Sequence, residues 1–235
     1  MKKEKFDGYK SLINSNGKSK NKFGVFSKFL ILLFLLVIYV FLSAYSYVSA
    51  VSSDIANSVF RLHVIANSDA EEDQNLKLQV RDALLEYMNS LCSSTSSKEE
   101  AMSIAQEHVE DFYKIAQEVI TSSGYNYPVN IAIGKYDFPT KNYGDVSLPA
   151  GVYDALRVEI GSASGKNWWC VMFPPLCFVD VSSGVVPEDS KELLQDSMSD
   201  EEYDLITDAD SSEMNVKFKI VELFESLKIK LANNN

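Results

Sequence analysis

A lysine-rich arm followed by a long stretch without charge is the feature that most constrains how this chain can be organised. Residues 1–28 contain eight lysines against Glu4 and Asp7, whereas no charged side chain occurs in residues 29–53. A basic flank before an apolar run is typical of membrane targeting, with the lysines held on the cytoplasmic side. We therefore predict that the body from about Val51 onward faces outward.

The targeting segment, residues 29–50, fits two fates. Its unbroken apolar run of fourteen residues suits a signal peptide better than a full membrane span of about twenty. Small residues before the Ala50–Val51 bond offer a cleavage site. The basic arm is long for a signal peptide, however, and the whole charge-free stretch could also serve as an uncleaved anchor. Both alternatives stay open, and both give membrane contact through residues 29–50.

Charge and composition argue against several classes of function. The chain carries a net charge of −11 although residues 1–28 carry +6, so the body is strongly acidic. An acidic body repels phosphate backbones, and nucleic-acid binding is not expected. Two histidines and three cysteines without a CxxC spacing make no standard zinc set. We predict no metal and no cofactor.

The first half of the body predicts one strand and two helices. Alternation marks a strand at 59–66, with Arg61 and His63 on its wetter face. A capping box at Ser68 starts a helix at about 69–91, and a second box at Ser97 starts a helix that ends near Gly124. His108 falls on the apolar stripe of that second helix, so a satisfied core histidine is favoured.

The second half of the body predicts strands and a long loop. A strand beginning at Val129 is closed by Gly134, and residues 135–151 are expected to form a loop rich in Pro, Gly, Asn and aromatic residues. A strand at 156–160 is followed by a hairpin turn at 162–165. The next strand, 168–173, places its two tryptophans on opposite faces.

These elements predict an α+β fold: a two-layer domain with a roughly four-stranded mixed sheet covered by helices, preceded by the signal or anchor segment. The predicted divisions are a basic arm at 1–28, the targeting segment at 29–50, an exported domain at 51–182 and an acidic segment at 183–235. The last division contains two short amphipathic pieces, near 190–198 and 200–206, and a terminal helix at about 214–231.

Two blocks of the body resemble the stage II sporulation protein R family. The first is Arg61-Leu-His-Val-Ile-Ala-Asn-Ser-Asp69 with the residues that follow it. The second combines Phe138-Pro-Thr140, Leu148-Pro-Ala-Gly151 and a Trp-Trp-Cys run before Phe173-Pro-Pro-Leu-Cys-Phe178. The resemblance covers roughly residues 58–181.

The resemblance implies an exported signal rather than an enzyme. Members are made in the forespore and enter the space between forespore and mother cell. There they activate a membrane aspartic protease of the mother cell, which cleaves the precursor of the mother-cell sigma factor. A structural or scaffold protein of the same space is the main alternative.

Candidate receptor contacts come from two regions. The predicted long loop offers Tyr136, Phe138 and Tyr143, because interfaces favour such aromatic residues; the alternative is packing against the core. Arg61 and His63 are the second choice, and a surface or half-buried histidine with a local hydrogen bond is the alternative for His63. Asn67 begins an Asn-Ser-Asp run for which helix capping is the favoured explanation, although a cap and a receptor contact are compatible.

The cysteines leave two questions open. Cys170 and Cys177 lie seven residues apart across two prolines, and either a disulfide or buried free thiols would fit. A cysteine hydrolase would need a thiolate beside a histidine, and Cys170 with His63 is the pair that the strands suggest. No nucleophile elbow or phosphate loop supports an enzyme.

Overall fold

The computed structural model describes residues 20–92, 95–177 and 186–207. The chain divides into two compact units, Met1–Val48 and Ser49–Asn235. Helix α1, Lys20–Ser58, contains an apolar window at Phe26–Ser43 with a mean hydropathy of 2.5. By length and composition this window can cross a membrane, and a signal sequence passes the same test. The predicted cleavage bond Ala50–Val51 lies within α1, and its cleavage stays a prediction.

After α1, the described residues of the second unit form one strand, three helices, five strands and two helices. After α1 the elements are β1 Phe60–Ile65, α2 Glu71–Leu91, α3 Lys98–Glu107, α4 Val109–Ser122, β2 Val129–Phe138, β3 Lys141–Tyr143, β4 Val146–Leu148, β5 Gly151–Ile160, β6 Asn167–Phe173, α5 Glu188–Asp196 and α6 Asp200–Thr207.

Four of the strands form one mixed sheet in the order β2-β5-β1-β6. The central pair β1 and β5 is parallel, whereas the outer strands β2 and β6 run antiparallel to their neighbours. Strands β3 and β4 form a separate two-stranded hairpin. The predicted α+β class, with a four-stranded mixed sheet and helices, is confirmed.

One face of the sheet packs against α2, α3 and α4, and we call it the helix face. Alternate residues of the strands point there, because side chains alternate along a strand. The core that they form with the helices contains, among others, Phe60, Leu62, Val64, Leu156, Val158, Cys170, Leu76, Val80, Leu84 and Phe112. This apolar layer is the main source of hydrophobic stabilisation.

The opposite face carries a different set of residues, and we call it the aromatic face. The β3–β4 hairpin lies at one end of it and brings Tyr143 to the sheet. Helix α6 contacts β4, and α5 is attached by the Lys191–Asp145 ion pair of 2.6 Å. Both short helices match the predicted amphipathic pieces, and they lie in the same unit as the sheet.

The prediction of a long loop at 135–151 is wrong. Gly134 does not end β2, which continues to Phe138 opposite Gly151, and the next residues form the β3–β4 hairpin. Gly144 has a positive φ of 60° in its turn. A Gly-Asp pair between alternating residues is a hairpin signal, so this element was readable from the sequence.

The turn at 162–165 is present, but it does not make a hairpin. Strand β1 lies between β5 and β6, so the turn passes over the end of β1 instead of joining paired neighbours. Asn67, which follows β1, accepts a hydrogen bond from the Ser162 backbone N–H at 2.9 Å, and its carbonyl accepts from the Ser164 hydroxyl at 2.7 Å. These bonds hold the turn where the strand order requires it.

Two helix predictions also need correction. The predicted second helix is split into α3 and α4 at His108, which has φ −104° and ψ 16°. The first helix begins after Ala70 without a side-chain cap, so Ser68 does not form a capping box. The second box is confirmed, because Ser97 accepts from the Glu100 backbone N–H at 3.2 Å. The predicted terminal helix at 214–231 lies outside the described residues.

Candidate functional site

The aromatic face is built around a buried arginine. Arg61 of β1 is fully buried, and its guanidinium lies 4.0 Å from the Phe138 ring centroid and 4.6 Å from that of Tyr153. Its Nη2 donates to the Tyr143 hydroxyl, and its Nε donates to the Cys170 carbonyl at 3.4 Å. Aromatic faces attract a cation and do so more strongly when water is excluded. The rings thus compensate a charge that has no carboxylate partner in the described part of the chain.

Two tyrosine hydroxyls complete this enclosure. The Tyr143 hydroxyl donates to the Trp169 carbonyl at 3.3 Å, and the Tyr153 hydroxyl donates to the Pro149 carbonyl at 2.6 Å. Burial raises the pKa of both tyrosines, against the opposing effect of the Arg61 charge. Both hydroxyls therefore stay protonated at neutral pH and act as donors, which ties the hairpin and the sheet together.

His63 lies beside Arg61 on the same strand face. Its ring stacks on Trp169 with centroids 3.7 Å apart, and its Nε2 is 2.7 Å from the Asn167 amide oxygen. An amide oxygen can only accept, so Nε2 carries the proton. Burial lowers the pKa of His63 from 6.5 to about 4, with Asn167 opposing and Arg157 adding to the shift. The imidazole is therefore neutral at physiological pH.

One part of the aromatic face, formed by β2 and β5, is partly exposed. Arg157 of β5 lies opposite His63, and its side chain is 34% exposed. It pairs with Glu159 at 2.6 Å and lies 5.2 Å from the Tyr136 ring centroid. The Tyr136 ring in turn lies over Gly134, where a side chain would contact it at 3.4 Å. We call Tyr136, Arg157 and Glu159 the open end.

Three nitrogen atoms on this face are buried without a hydrogen-bond partner in the described residues. They are Arg61 Nη1, His63 Nδ1 and Arg157 Nε. Such groups are uncommon in native proteins, since each costs free energy. Their positions are adjacent, because Arg61 and His63 are two apart on β1 and His63 faces Arg157 across the strand pair. The buried nitrogen atoms without partners on the aromatic face therefore belong to three neighbouring residues.

Asn67 and Ser68 form a separate polar junction at the end of β1. Their side chains donate to the Asp73 carboxylate at 2.8 and 2.6 Å. Burial acts to raise the pKa of Asp73, but these hydrogen bonds prevail and hold the pKa below its usual value. The predicted role of this run in helix capping is therefore replaced by contacts that bind α2 and the turn at 162–165 to the sheet.

The structure brings most of the candidate contact residues together, but it buries them. Arg61, His63, Phe138 and Tyr143 are all less than 10% exposed. The prediction that Arg61 and His63 lie on a wetter face is wrong, because the hairpin and the neighbouring rings cover them. Among the predicted aromatic contacts, Tyr136 is the partly exposed one, and Asn67 is half-buried at its junction. Whether any of them touches a receptor stays a prediction.

The structure also places the cysteines and the histidine that the sequence suggested as a hydrolase pair. Cys170 and Cys177 are joined by a disulfide with their Cα atoms 5.5 Å apart. Cys170 lies opposite Leu62, whereas His63 lies opposite Trp169. The two members of the suggested hydrolase pair are therefore on opposite faces of the sheet, and the sulfur is not a thiolate. Among the described residues, no group of three or more His, Cys, Asp or Glu is placed to hold a metal ion.

His108 differs from its predicted position, whereas the two tryptophans agree with theirs. His108 is 36% exposed instead of lying in the core, and its Nδ1 contacts the Tyr87 hydroxyl at 2.9 Å. The tryptophans do point to opposite faces: Trp168 packs near the core beneath Arg81, and Trp169 stacks on His63.

Sequence reasoning missed Tyr153 and Arg157 as members of the site. The signal was available, because alternation along β5 places Tyr153, Ala155, Arg157 and Glu159 on one face. What alternation could not supply was the strand order. Only the parallel pairing of β5 with β1 brings Arg157 beside His63.

Comparison with known proteins agrees with the two resembling blocks. The family model described as stage II sporulation protein R matches residues 56–183, which include the six described strands and the aromatic face. The stage II sporulation protein R of Bacillus subtilis is 37% identical over 138 residues. That alignment covers 59% of this chain and 62% of the relative, so the chain spans less than two thirds of the relative's length. No solved structure matches the chain.

Proposed function

Because the chain belongs to the stage II sporulation protein R family and so has a role in sporulation, we propose that it is an exported signal that activates a membrane aspartic protease of the mother cell. The activated protease then cleaves the precursor of the mother-cell sigma factor. The observation that carries the proposal is the family match over residues 56–183, which spans the whole sheet.

Two features of the chain support export into the space between forespore and mother cell. The lysine-rich arm precedes a helix whose window at Phe26–Ser43 is apolar enough to cross a membrane, and lysines favour the cytoplasmic side. The Cys170–Cys177 disulfide suits an oxidising compartment outside the cytoplasm. Whether the segment is cleaved or kept as an anchor, the body would face the same space.

We place the receptor contact at the open end of the aromatic face. Tyr136 and Arg157 are the residue types that dominate binding energy at interfaces, and both are partly exposed. Arg61, His63, Phe138 and Tyr143 lie beneath and beside them, so these buried residues would set the shape of the contact surface rather than touch the receptor. Asn67 would act in the same indirect way through its junction.

A ligand activates a receptor only through higher affinity for the active conformation. A change in the active fraction from about 1% to 99% needs a difference of about 5.5 kcal/mol. Two or three interface residues at about 2 kcal/mol each can supply this difference. The few residues of the open end are therefore sufficient to activate the receptor by binding, without a reaction catalysed by this chain.

The test is reconstitution of the full chain with the membrane protease and the sigma factor precursor. We expect precursor cleavage only when all three are present and the protease keeps its catalytic aspartate. Cleavage by the chain without the protease would instead reveal an enzyme. Cleavage by the protease at the same rate without the chain would reduce the chain to a structural protein of that space. Either result contradicts the proposal.

A further inference from the structure

The two edges of the main sheet differ in how their backbones are covered. Strand β6 is the edge next to β1, and side chains bond to its carbonyls: Tyr143 to Trp169 and Arg61 to Cys170. Strand β2 is the opposite edge and is ten residues long. In the described residues, no hydrogen bond reaches its backbone from any element except β5. An unpaired edge of this length is a template for another strand.

The side chains at the end of this edge are self-complementary. Lys135 and Asp137 flank Tyr136, and both are exposed. In an antiparallel pair of two identical strands about a two-fold axis through Tyr136, Lys135 of each copy faces Asp137 of the other. Directly opposite charges stabilise antiparallel strands, and so do opposite aromatic rings. The same three residues thus provide two ion pairs and a central tyrosine pair.

The charges at this edge are free to make those pairs. Asp137 has no ion-pair partner among the described residues. Lys135 is 62% exposed and contacts Asp154 at 3.1 Å, but Asp154 is also held by the buried Lys98 at 2.7 Å. Asp154 therefore stays compensated when Lys135 turns toward a second copy.

We propose that a second copy of this chain pairs with β2, edge to edge and antiparallel, to form a continuous eight-stranded sheet centred on Tyr136. The interface is isologous, as in most homodimers, so it closes and does not propagate. Dimerisation through β2 does not depend on the proposed receptor. It uses Tyr136 of the open end and leaves Arg157 and Glu159 of each copy on the sheet face.

Charge exchange tests both the surface and its register. Lys135→Glu places like charges opposite Asp137, and Asp137→Lys places like charges opposite Lys135. Each full-length variant alone, in detergent, should have a dimer dissociation constant about tenfold higher than the unchanged chain. An equimolar mixture of the two variants restores both ion pairs and should recover the original affinity. The membrane helix is the same in all samples, so its own association cannot produce this pattern.

Crosslinking fixes the centre of the pair. Tyr136→Cys should form an intermolecular disulfide on mild oxidation, because residues on the two-fold axis face each other within disulfide range. Lys135→Cys alone should not, but it should crosslink to Asp137→Cys in a mixture. A monomeric unchanged chain, equal affinity in all charge variants, or a Tyr136→Cys variant that forms no disulfide between copies in a Cys92→Ser background would each overturn the proposal.

Discussion

The two faces of the sheet bury their residues by different means. The helix face is apolar, with Leu62, Val64 and Leu156 packed against three helices. The aromatic face buries a cation and a histidine from the same strand, Arg61 and His63, between rings and under a short hairpin. On the helix face, burial itself supplies the stability. On the aromatic face, burial costs free energy that rings and hydrogen bonds must offset.

The two faces therefore differ in how strictly their residues are determined. An apolar core tolerates many substitutions of similar volume. The aromatic face is less tolerant, because Arg61 needs two rings, the Tyr143 hydroxyl and the Cys170 carbonyl in one arrangement. That arrangement also determines where Tyr136 and Arg157 stand at the open end.

The largest effect is expected at Arg61. Arg61→Ala removes a fully buried side chain from between two rings, and we expect the free energy of unfolding to fall by about 3–5 kcal/mol, as for large buried residues. Leu62→Ala, the neighbour on the helix face, should cost about 2–5 kcal/mol. Urea unfolding measures both. A loss below about 1 kcal/mol for Arg61→Ala would show that the aromatic face is not a packed unit.

A pH series separates the two faces next. The lowered pKa of His63 means that its folded form is neutral, so the stabilisation is complete above about pH 6.5 and is lost as the pH falls toward about 4. The loss should reach about 3 kcal/mol. His63→Gln keeps a donor for Asn167 but cannot titrate, and its stability should change less across this window. If the unfolding free energy of His63→Gln and of the unchanged chain depended on pH in the same way, His63 would not be a buried neutral histidine.

The disulfide gives an effect of intermediate size, on the helix face. Replacing both Cys170 and Cys177 by serine frees a short loop and should lower the unfolding free energy by about 2–3 kcal/mol. Cys92→Ser, at the end of α2, serves as the matched control and should cost less. Equal losses in the two variants would mean that the covalent bond does not constrain the chain.

The smallest change in stability is expected at the rim of the helix layer. Ser97→Ala removes the cap of α3 and should cost about 1 kcal/mol, whereas Ser97→Asp keeps an acceptor and should cost little. Ser96→Ala, one residue earlier and exposed, should stay within about 0.5 kcal/mol of the unchanged chain. Thermal unfolding resolves these differences. Equal costs for the Ala and Asp variants at Ser97 would reject the cap.

The sequence predicts the helix face better than the aromatic face, for a physical reason. Periodicity identifies apolar stripes, so the strand at Phe60–Ile65 and the helix at Glu71–Leu91 are close to their predicted bounds. The aromatic face depends instead on contacts between distant strands. Arg61 looked like a surface residue because alternation shows polarity but not the hairpin that covers it. The hairpin itself was concealed by reading Gly134 as a strand end.

The sequence therefore predicted several of the residues of the candidate site but not their positions relative to one another. Phe138 and Tyr143 do lie around Arg61, and Phe138 also contacts His63, although the two groups were chosen separately. Tyr136 lies instead beside Arg157. Their joint position follows from the order β2-β5-β1-β6, and no local pattern contains that order. The parallel pair at its centre requires a crossover that only long-range packing determines.

One comparison tests the central claim, that the open end of the aromatic face contacts the receptor. The double variant Tyr136→Ala, Arg157→Gln changes that surface, and Tyr113→Ala changes an equally aromatic residue that is 41% exposed on α4 of the helix layer. Tyr113→Ala should unfold within about 1 kcal/mol of the unchanged chain, and the double variant, whose two residues are partly exposed, should lose about 1–2 kcal/mol and stay folded. Precursor processing in the reconstituted system should be lost with the double variant and kept with Tyr113→Ala. Normal processing by a folded double variant, or loss with Tyr113→Ala instead, would contradict the account.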